Sequence, residues 1–348
     1  MSNTSSLHIR PEDLKYRAMI GTGGIGSGIF FVMNGNHTLG REESRSGYFA
    51  DRRDYCKLHI ISHYVQTLLG PGFETIPIGK VGDDDLGKTL YDEMRECGMN
   101  MGHVAVLPGV RTLMGVCFTY PDGSGGNLTP DDSACSEVGV PAVLAAEAEF
   151  GRYAHSGIAL AAPEVPLETR AKLLELGTQY DFFRVASFTS EEMSLSVSRD
   201  MLRNVDLLAL NLDEAAVAAS VPVVGEAQAV VEGAVQKLCQ INPHMFISIT
   251  AGQEGSWAWD GRLLHHVPAF RAEVESTAGA GDCHLAGLMV GLAGGLALRE
   301  AQELATLAAA LSVTSPHTIS KTIGRETLRR FADGIAADLG DDVWRLLQ

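Results

Sequence analysis

The stretch "STAGAGDCHLAG", from Ser276 to Gly287, sets small residues directly before an aspartate and then becomes apolar. Gly279 and Gly281 allow successive backbone N–H groups to point into one concavity, and a helix beginning near Asp282 would add the positive end of its dipole. Such a group of amides stabilises an oxyanion or a phosphoryl group in transfer, and an aspartate at its edge is placed to take a proton from an attacking hydroxyl. An aspartate that only caps a helix after a glycine-rich turn explains the same stretch equally well.

The composition of the chain excludes several classes of function. Its 348 residues are 45% hydrophobic and 20% charged, and no apolar run is long enough for a membrane helix. The net charge of −16 argues against nucleic-acid and membrane partners, because both attract basic surfaces. Six cysteines lie scattered without a C-x-x-C pair, and the polar first residues lack a secretory signal. We therefore expect reduced thiols and a cytoplasmic protein.

The order of predicted elements indicates an α/β fold. From about Phe73 onward, apolar strands such as "FETIPIG", "VDLLALN" and "HMFISIT" alternate with amphipathic helices. This alternation predicts a mainly parallel sheet covered by helices. Residues 29–55 and 104–126 lack it, so we expect them to form a small antiparallel β lid. Residues 1–28, 56–103 and 127–348 are then the α/β domain that binds nucleotide and carries out catalysis.

Two motifs suggest other functions but lack their required context. "GTGGIG", residues 21–26, fits the dinucleotide pattern of a nicotinamide or flavin enzyme, which needs a helix directly afterwards. The following "SGIFFVMNGN" is rich in strand-forming residues, so we predict a glycine-rich turn instead. His59 and His63 have the spacing of a zinc-binding pair, but no third ligand is evident in the sequence. We predict that both are ordinary helix residues.

Two later segments combine a strand end with polar or glycine-rich residues. "VDLLALNLDEA" ends a strand at Asn211 and places Glu214 in the first turn of a helix, where a carboxylate can hold magnesium through water. A capping box formed by the same two residues is the alternative. "ISITAGQEG" ends a strand at Thr250 and turns through Gly252 and Gly255, which would allow a nucleotide to approach closely. A plain connection between strands is the alternative there.

Together these segments resemble the ribokinase-like (PfkB) family of carbohydrate kinases. "STAGAGDCHLAGLM" is similar to the C-terminal signature of the family, "NLDE" to its N-x-x-E motif and "TAGQEG" to its T-x-G-x-x-G turn. The resemblance runs from about Ala18 to the C-terminal helices. It implies a Rossmann-like three-layer α/β/α fold with a small β-sheet lid.

The resemblance also implies an activity and a role for each motif. The expected reaction is ATP- and Mg²⁺-dependent phosphorylation of a hydroxyl of a small sugar or related polyol. Asp282 would be the general base, and the backbone amides of Gly279, Ala280 and Gly281 would form the anion hole. Glu214 would hold Mg²⁺ through water. The residues expected to contact the nucleotide are Asn211, Thr250, Gly252 and Gly255.

The sequence departs from the family on the side of the phosphoryl acceptor. "GIGSGIF" lacks the acid that family members use to bind sugar hydroxyls, and "YCKLHIISH" lacks their Gly-Gly pair. Ser276 replaces an acid that helps many members to hold a monovalent cation, so we expect only a weak response to potassium. We expect side chains peculiar to this chain to hold the acceptor. The candidates are Arg41, Glu43, Lys57 and His59.

Alternatives to a sugar or polyol kinase stay open from sequence alone. A nucleoside kinase of the same fold would need a larger apolar pocket for the base. A catalytically silent ligand-binding or regulatory homologue would also explain the lost sugar contacts, although the intact "GAGD" sequence argues against silence. We expect a homodimer formed through the lid, a small-molecule substrate, and no nucleic-acid or membrane partner.

Overall fold

The computed structural model describes residues 5–122, 125–198, 200–221 and 226–348. Its strands, in chain order, are β1 (Ala18–Thr22), β2 (Gly26–Met33), β3 (Gly47–Tyr55), β4 (Glu74–Gly82), β5 (Val104–Leu107), β6 (Leu113–Thr119), β7 (Gly125–Leu128), β8 (Gly157–Ala161), β9 (Phe183–Ser187), β10 (Leu207–Asn211), β11 (Phe246–Thr250), β12 (Ser256–Trp259) and β13 (Leu264–Val267). Its α-helices are α1 (Lys57–Leu69), α2 (Asp85–Glu96), α3 (Val140–Ala145), α4 (Glu147–Arg152), α5 (Leu167–Gln179), α6 (Ser190–Ser198), α7 (Leu212–Ala219), α8 (Ala227–Ile241), α9 (Ala280–Ala293), α10 (Leu298–Ser312), α11 (Arg325–Gly334) and α12 (Asp341–Leu347).

The larger sheet has nine strands in the order β13-β12-β11-β10-β9-β8-β1-β4-β5. Its strands run parallel from β5 to β11, and β12 and β13 add an antiparallel hairpin at one edge. Every residue of β1 and of β8 is buried. Parallel strands are apolar throughout because helices cover both faces of the sheet.

Two hydrophobic cores, one on each side of this sheet, make three layers. The first core includes Leu58 of α1, Leu285 of α9 and Leu304 of α10. The second includes Leu173 of α5 and Val231 of α8. The expected α/β class and three-layer α/β/α fold are therefore confirmed.

Helices α9 and α10 pack with almost no space between their backbones. A Cβ atom at Gly287 of α9 would lie 2.8 Å from the Cα of Ala305, and one at Gly291 would lie 2.8 Å from the Cα of Ala301. Helix α9 is buried from Cys283 to Ala293. Gly287 and Gly291 are thus required by helix packing, and α9 is held firmly by the first core.

The smaller sheet has four strands in the order β3-β2-β6-β7. Strand β2 pairs antiparallel with β3 and parallel with β6, while β7 pairs antiparallel with β6. Because β2 begins at Gly26, a strand and not a helix follows "GTGGIG". The requirement of the dinucleotide pattern is not met, and the predicted glycine-rich turn is found.

The expected boundaries and strand directions of the lid need correction. Strand β5, at residues 104–107, pairs with β4 in the nine-stranded sheet and does not belong to the smaller one. The smaller sheet is mixed and not purely antiparallel, because β2 and β6 run in the same direction. It also continues to Leu128, and residues 123–124 of the expected lid lie outside the described residues. The division of the chain into a catalytic domain and a lid stays a prediction.

All six cysteines are free thiols. Over the described parts of the chain, no helix is both long enough and apolar enough to cross a membrane.

The packing of α9 on α10 gives a stability prediction. Gly287→Ala forces a methyl group against the backbone of Ala305, and overpacking of this kind costs about 1–3 kcal/mol. The matched control is Gly334→Ala in α11, where a Cβ meets no atom within 4 Å. Replacing glycine by alanine in a helix should stabilise that variant by about 0.5–1 kcal/mol. Urea unfolding measures both changes, and a Gly287→Ala variant as stable as the parent would contradict this packing.

Candidate active site

The carboxyl ends of the parallel strands bring several of the predicted residues together. Asn211 ends β10 and Thr250 ends β11, and the two are direct partners in the sheet. Strand β8 ends at the same edge, and Glu164 follows it within three residues. Ligands of open α/β sheets bind outside this edge. The predicted nucleotide residues therefore lie where such folds hold their ligands.

Helix α9 begins with a glycine that no other residue could replace without strain. Gly279 is its N-cap, with a φ of 78°, and a Cβ there would lie 2.6 Å from the carbonyl oxygen of Thr318. At Gly281 a Cβ would meet no atom within 4 Å. The first turn of α9 thus faces open space. Its N–H groups lack partners within the helix, and that of Ala280 donates outside it, to the carbonyl of Thr277 at 3.2 Å. An anion can approach the first turn from the open side.

The structure contradicts the alternative that Asp282 serves as the N-cap. The cap position belongs to Gly279, and Asp282 lies three residues further along, inside the first turn. A carboxylate in this turn interacts favourably with the helix dipole. Asp282 is therefore free of the capping role.

Lys57, the first residue of α1, forms an ion pair with Asp282. Its Nζ lies 3.7 Å from Asp282 Oδ1, and the two side chains are 33% and 15% exposed. Burial raises the pKa of the Asp282 carboxyl, and the Lys57 ammonium opposes that rise. Asp282 in turn raises the pKa of Lys57. The lysine therefore favours the ionised form of a mostly buried aspartate.

Glu164 is a third charged residue of this group, and sequence analysis missed it. Its Oε2 accepts a hydrogen bond from the backbone N–H of Lys57 at 3.1 Å. Burial raises its pKa to about 7, although Lys57 lowers it. Its φ of 76° is rare for a residue with a side chain, and such backbone strain is concentrated at functional sites. The signal in the sequence was an acid shortly after a buried strand, in "IALAAPEVP".

The glycine-rich turn after β1 makes room for Glu164. A Cβ at Gly24 would overlap the Glu164 carboxylate, and the N–H of Gly24 donates to the carbonyl of Pro163 at 2.9 Å. The role of "GTGGIG" is thus to accommodate the loop after β8.

Asp54 on β3 also belongs to this region and was not predicted. The Cys117 thiol donates a hydrogen bond to its Oδ2 at 3.3 Å. Burial raises the pKa of Asp54, and the charge of Asp282 adds to the rise. The two carboxylates therefore influence each other across the space between the sheets.

Asn211 and Glu214 form the capping box that was the alternative to a metal site. The N–H of Glu214 donates to Asn211 Oδ1 at 2.8 Å, and the N–H of Asn211 donates to Glu214 Oε2 at 2.8 Å. Burial raises the pKa of Glu214, while the Asn211 N–H and Lys57 lower it. A carboxylate has two oxygens and more than one acceptor position on each, so capping leaves it able to bind water. The magnesium role stays a prediction.

The two glycines of the "TAGQEG" turn have different surroundings. Gly255, with a φ of 93°, packs so closely on the carbonyl of Val267 that a Cβ would overlap it. Gly252, with a φ of 54°, faces open space. Gly255 is therefore required by the hairpin that follows, and Gly252 is the position that a ligand can approach.

Arg41 and Glu43 are not brought to Asp282. Both lie in the exposed turn between β2 and β3, at the end of the hairpin away from Ser27 and Tyr55. Glu43 accepts hydrogen bonds from the N–H of Gly40 and from Arg45, which hold its pKa at about 2. Its carboxylate thus serves to order the turn.

His59 lies on another face of α1 from the ion pair. It is 1% exposed, its ring contacts that of Tyr55 at 4.7 Å, and burial lowers its pKa far below the usual range. It lines a cavity of about 1110 Å³ together with His63 and Glu93. Neither Lys57 nor Asp282 lines that cavity. Among the described residues, no cluster of three or more His, Cys, Asp or Glu side chains could hold a metal ion.

A three-layer α/β/α domain that opens a helix N-terminus at the carboxyl edge of its sheet is suited to hold a phosphorylated ligand. The sequence profile of the pfkB family carbohydrate kinases matches residues 65–323. The chain belongs to this family, and it is a phosphotransferase with an alcohol group as acceptor.

Solved structures with the same fold cover nearly the whole chain. Ribokinase from Cryptococcus neoformans in complex with ADP is 18% identical, with a TM-score of 0.73 over 90% of this chain and 99% of that one. A nucleoside kinase from Burkholderia thailandensis in complex with inosine is 18% identical, with a TM-score of 0.70 over 91% of this chain and 99% of that one. At these identities the likeness concerns the fold alone.

Curated relatives match over shorter stretches. The bifunctional protein HldE of Azorhizobium caulinodans is 42% identical over 94 residues, which are 26% of this chain and 19% of that protein. The HldE of Methylobacillus flagellatus is 39% identical over 74 residues, which are 21% of this chain and 15% of that protein. The chain thus spans less than a fifth of the length of these relatives.

The two glycines before Asp282 should respond differently to substitution. Gly279→Ala places a side chain at a left-handed φ and against Thr318, and the backbone conformation alone costs about 1–2 kcal/mol. Gly281→Ala should not lower the free energy of unfolding, because its Cβ enters open space and alanine favours the helix over glycine. If the amides of residues 279–281 bind the phosphoryl group, that methyl group should still lower turnover by about 10²-fold, the size of a lost oxyanion-hole donor. Urea unfolding and steady-state kinetics distinguish the effects, and a fully active Gly281→Ala variant would argue against the anion hole.

Proposed function

We propose that the protein transfers the γ-phosphoryl group of ATP to a hydroxyl of a small sugar or related polyol, with Asp282 as the general base. The observation that carries this proposal is the Lys57–Asp282 pair, at 3.7 Å, beside the open first turn of α9. A base, a cation and the open first turn of a helix lie at one point, and these are what phosphoryl transfer requires, since it depends on positioning and charge stabilisation.

Each of these residues has a separate role in the proposed reaction. The acceptor hydroxyl gives its proton to Asp282 as its oxygen attacks the phosphorus atom. The amides of Gly279, Ala280 and Gly281 stabilise the negative charge on the phosphoryl oxygens. Lys57 keeps Asp282 ionised until the proton arrives. Glu164 holds the backbone of Lys57 in position through its hydrogen bond.

Asn211, Thr250, Gly252 and Gly255 form the proposed nucleotide side. The open space at Gly252 supports a close approach of the nucleotide, whereas Gly255 supports the shape of the turn. Mg²⁺ in kinases is bound by one or two carboxylates and by the substrate phosphates, so the absence of a protein cage in the described residues is compatible with it. Glu214 fits as its water-mediated ligand. When bound, Mg²⁺ neutralises charge on the phosphates.

The acceptor can be identified by a binding screen. Thermal unfolding is followed with sugars, polyols and nucleosides, each with and without a non-hydrolysable ATP analogue, because a ligand of the folded state raises its apparent stability. We expect sugars or polyols to raise Tm. A rise with nucleosides alone would favour a nucleoside kinase, and binding without turnover would favour the silent homologue. Ser276 is buried and its Oγ accepts from the N–H of Ala278 at 3.3 Å, and with this neutral residue in place of an acid we expect only a weak response of activity to potassium.

The smaller sheet supports a homodimer. Side chains on the face of this sheet that points away from the cleft are apolar and exposed. They include Ile29, Phe49, Met114 and Leu128. An exposed apolar face of this kind marks an interaction site, and a second copy of the same sheet offers a complementary surface. The free thiols support a cytoplasmic location.

Asp282→Asn should lower kcat by about 10²–10⁴-fold, the usual contribution of a general base. The amide keeps the shape of the side chain but cannot accept the proton. ATP affinity should change little, because Asp282 acts on the acceptor. Steady-state kinetics with an accepted substrate and a binding assay for ATP check both parts. A nearly neutral effect on kcat would contradict the role of Asp282 as base.

Phe49→Glu should convert the dimer to a monomer. Phe49 is 66% exposed on the apolar face, and a charge there would be buried without a partner in the dimer. Leu263→Glu is the matched control, since Leu263 is 62% exposed but lies in the turn between β12 and β13. Light scattering after size-exclusion chromatography measures the mass. A parent protein that is monomeric at high concentration would refute the proposed dimer.

A further inference from the structure

The inner face of the smaller sheet carries the carboxylate of Asp54 beside a stretch of β2 that has no acid of its own. Gly28 of β2 and Asp54 of β3 are direct partners in the sheet. A Cβ at Gly28 would lie 2.5 Å from Asp54 Oδ2, so only glycine leaves space for this carboxylate. The stretch "GIGSGIF" contains no acid of its own. The neighbouring strand β3 thus supplies an acid to the same place.

The packing of β6 shows which way this face points. Leu113 and Cys117 lie on one side of β6, because side chains alternate along a strand. Leu113 is buried against Cys56 and Val165, which precede α1 and follow β8. Cys117 lies on the same side and hydrogen-bonds to Asp54. The Asp54 carboxylate therefore faces the nine-stranded sheet and the cleft between the two sheets.

A second contact ties the strand of Asp54 to the turn before α9. The backbone N–H of Tyr55 donates to Thr318 Oγ1 at 3.0 Å, and the N–H of Thr318 donates to the carbonyl of Arg53 at 3.1 Å. The carbonyl of Thr318 lies directly over Gly279. Asp54 is thus held at a fixed position relative to the first turn of α9 and to Asp282.

We propose, on the basis of the function proposed above, that Asp54 binds the acceptor, with its carboxylate accepting hydrogen bonds from hydroxyls of an unphosphorylated sugar or polyol that do not react. Asp282 receives the proton of the reacting hydroxyl, and Asp54 fixes the orientation of the molecule. The acceptor is then held between the smaller sheet and the ion pair of Lys57 and Asp282.

The hydrogen bonds and charges around Asp54 support this role. The Cys117 thiol is a weak donor to Asp54, and hydrogen bonding by the backbone of Tyr55 and by the Thr318 side chain also lowers the pKa of Asp54. A carboxylate can accept several hydrogen bonds. The existing donors do not compensate for burial, which raises the pKa of Asp54. Hydroxyl donors from a ligand would stabilise the ionised form. The three carboxyl groups of Asp54, Glu164 and Asp282 face only one positive charge, that of Lys57. A phosphate group on the acceptor would therefore be repelled.

The test uses Asp54→Asn in the full-length protein with the acceptor that the screen identifies. Loss of hydrogen bonds to a charged group should raise the KM for the acceptor by about 10- to 100-fold. The KM for ATP should stay the same, and kcat should change by only about 3-fold, because Asp54 touches neither the base nor the nucleotide. Asp51→Asn is the matched control, as Asp51 is an exposed acid on the same strand, and its kinetics should equal those of the parent.

Gly28→Ala provides an independent variant that keeps the charge. Its methyl group displaces the Asp54 carboxylate, so the acceptor KM should rise as in Asp54→Asn. An unchanged acceptor KM in Asp54→Asn, or an equal rise in the KM for ATP, would overturn the inference. A parent enzyme that prefers a phosphorylated acceptor would overturn the substrate class. A parent protein that phosphorylates no sugar, polyol or nucleoside would instead refute the function on which the inference rests.

Discussion

The ion pair between Lys57 and Asp282 is the interaction on which the site depends. Three carboxylates, those of Asp282, Glu164 and Glu214, experience the charge of this one lysine, and in each case it lowers a pKa that burial raises. Without the lysine, these acids would repel one another in a partly buried space and would tend to take up protons. A base must be ionised to accept a proton. If Asp282 is the proposed base, the lysine favours the ionised form that this role needs.

The fold explains how these residues meet although they lie far apart in sequence. Lys57 begins α1 directly after the smaller sheet, Glu164 follows β8, and Asp282 lies in the first turn of α9. Parallel strands deliver the loops that follow them to one edge, and helix N-termini face the same edge. The close packing of α9 on α10 holds the turn at Gly279 in place. The site is thus built on rigid elements, and this suits chemistry that depends on positioning.

Much of the fold could be predicted because its signals are local. Apolar strands alternating with helices indicate a parallel sheet between helix layers, and the β-rich stretch after Gly26 correctly excluded a dinucleotide-binding helix. The parallel pairing of β2 with β6 could not be foreseen, because it joins residues about ninety positions apart in the chain. Strand β5 was assigned to the lid because residues 104–126 lack the alternation of strands and helices found elsewhere. Only its pairing with β4 places it in the larger sheet.

The positions of Asn211, Thr250 and Asp282 could be predicted because each ends a strand or lies in the first turn of a helix, while their roles stay predictions. Arg41 and Glu43 were chosen for being close to α1 in sequence, but the β2–β3 hairpin carries them to its far end. Asp54 was missed because "FADRRDY" contains several charges, and sequence does not show which of them faces inward. The pairing of Asp54 with Gly28 decides which of these acids faces inward. This pairing joins residues of different strands and cannot be read from the local sequence.

The most direct test of the account is the pH dependence of kcat/KM in the parent enzyme and in Lys57→Met. Activity requires ionised Asp282, so it is lost as the pH falls through the pKa of that residue. Because Lys57 lowers this pKa, its removal should move the acidic limb to higher pH, while Lys57→Arg should leave the limb in place. Glu164→Gln removes a carboxyl whose pKa burial raises to about 7, and this variant should retain the limb. An acidic limb that stays at the same pH in Lys57→Met, or that disappears in Glu164→Gln, would contradict the assignment of Asp282 as the base.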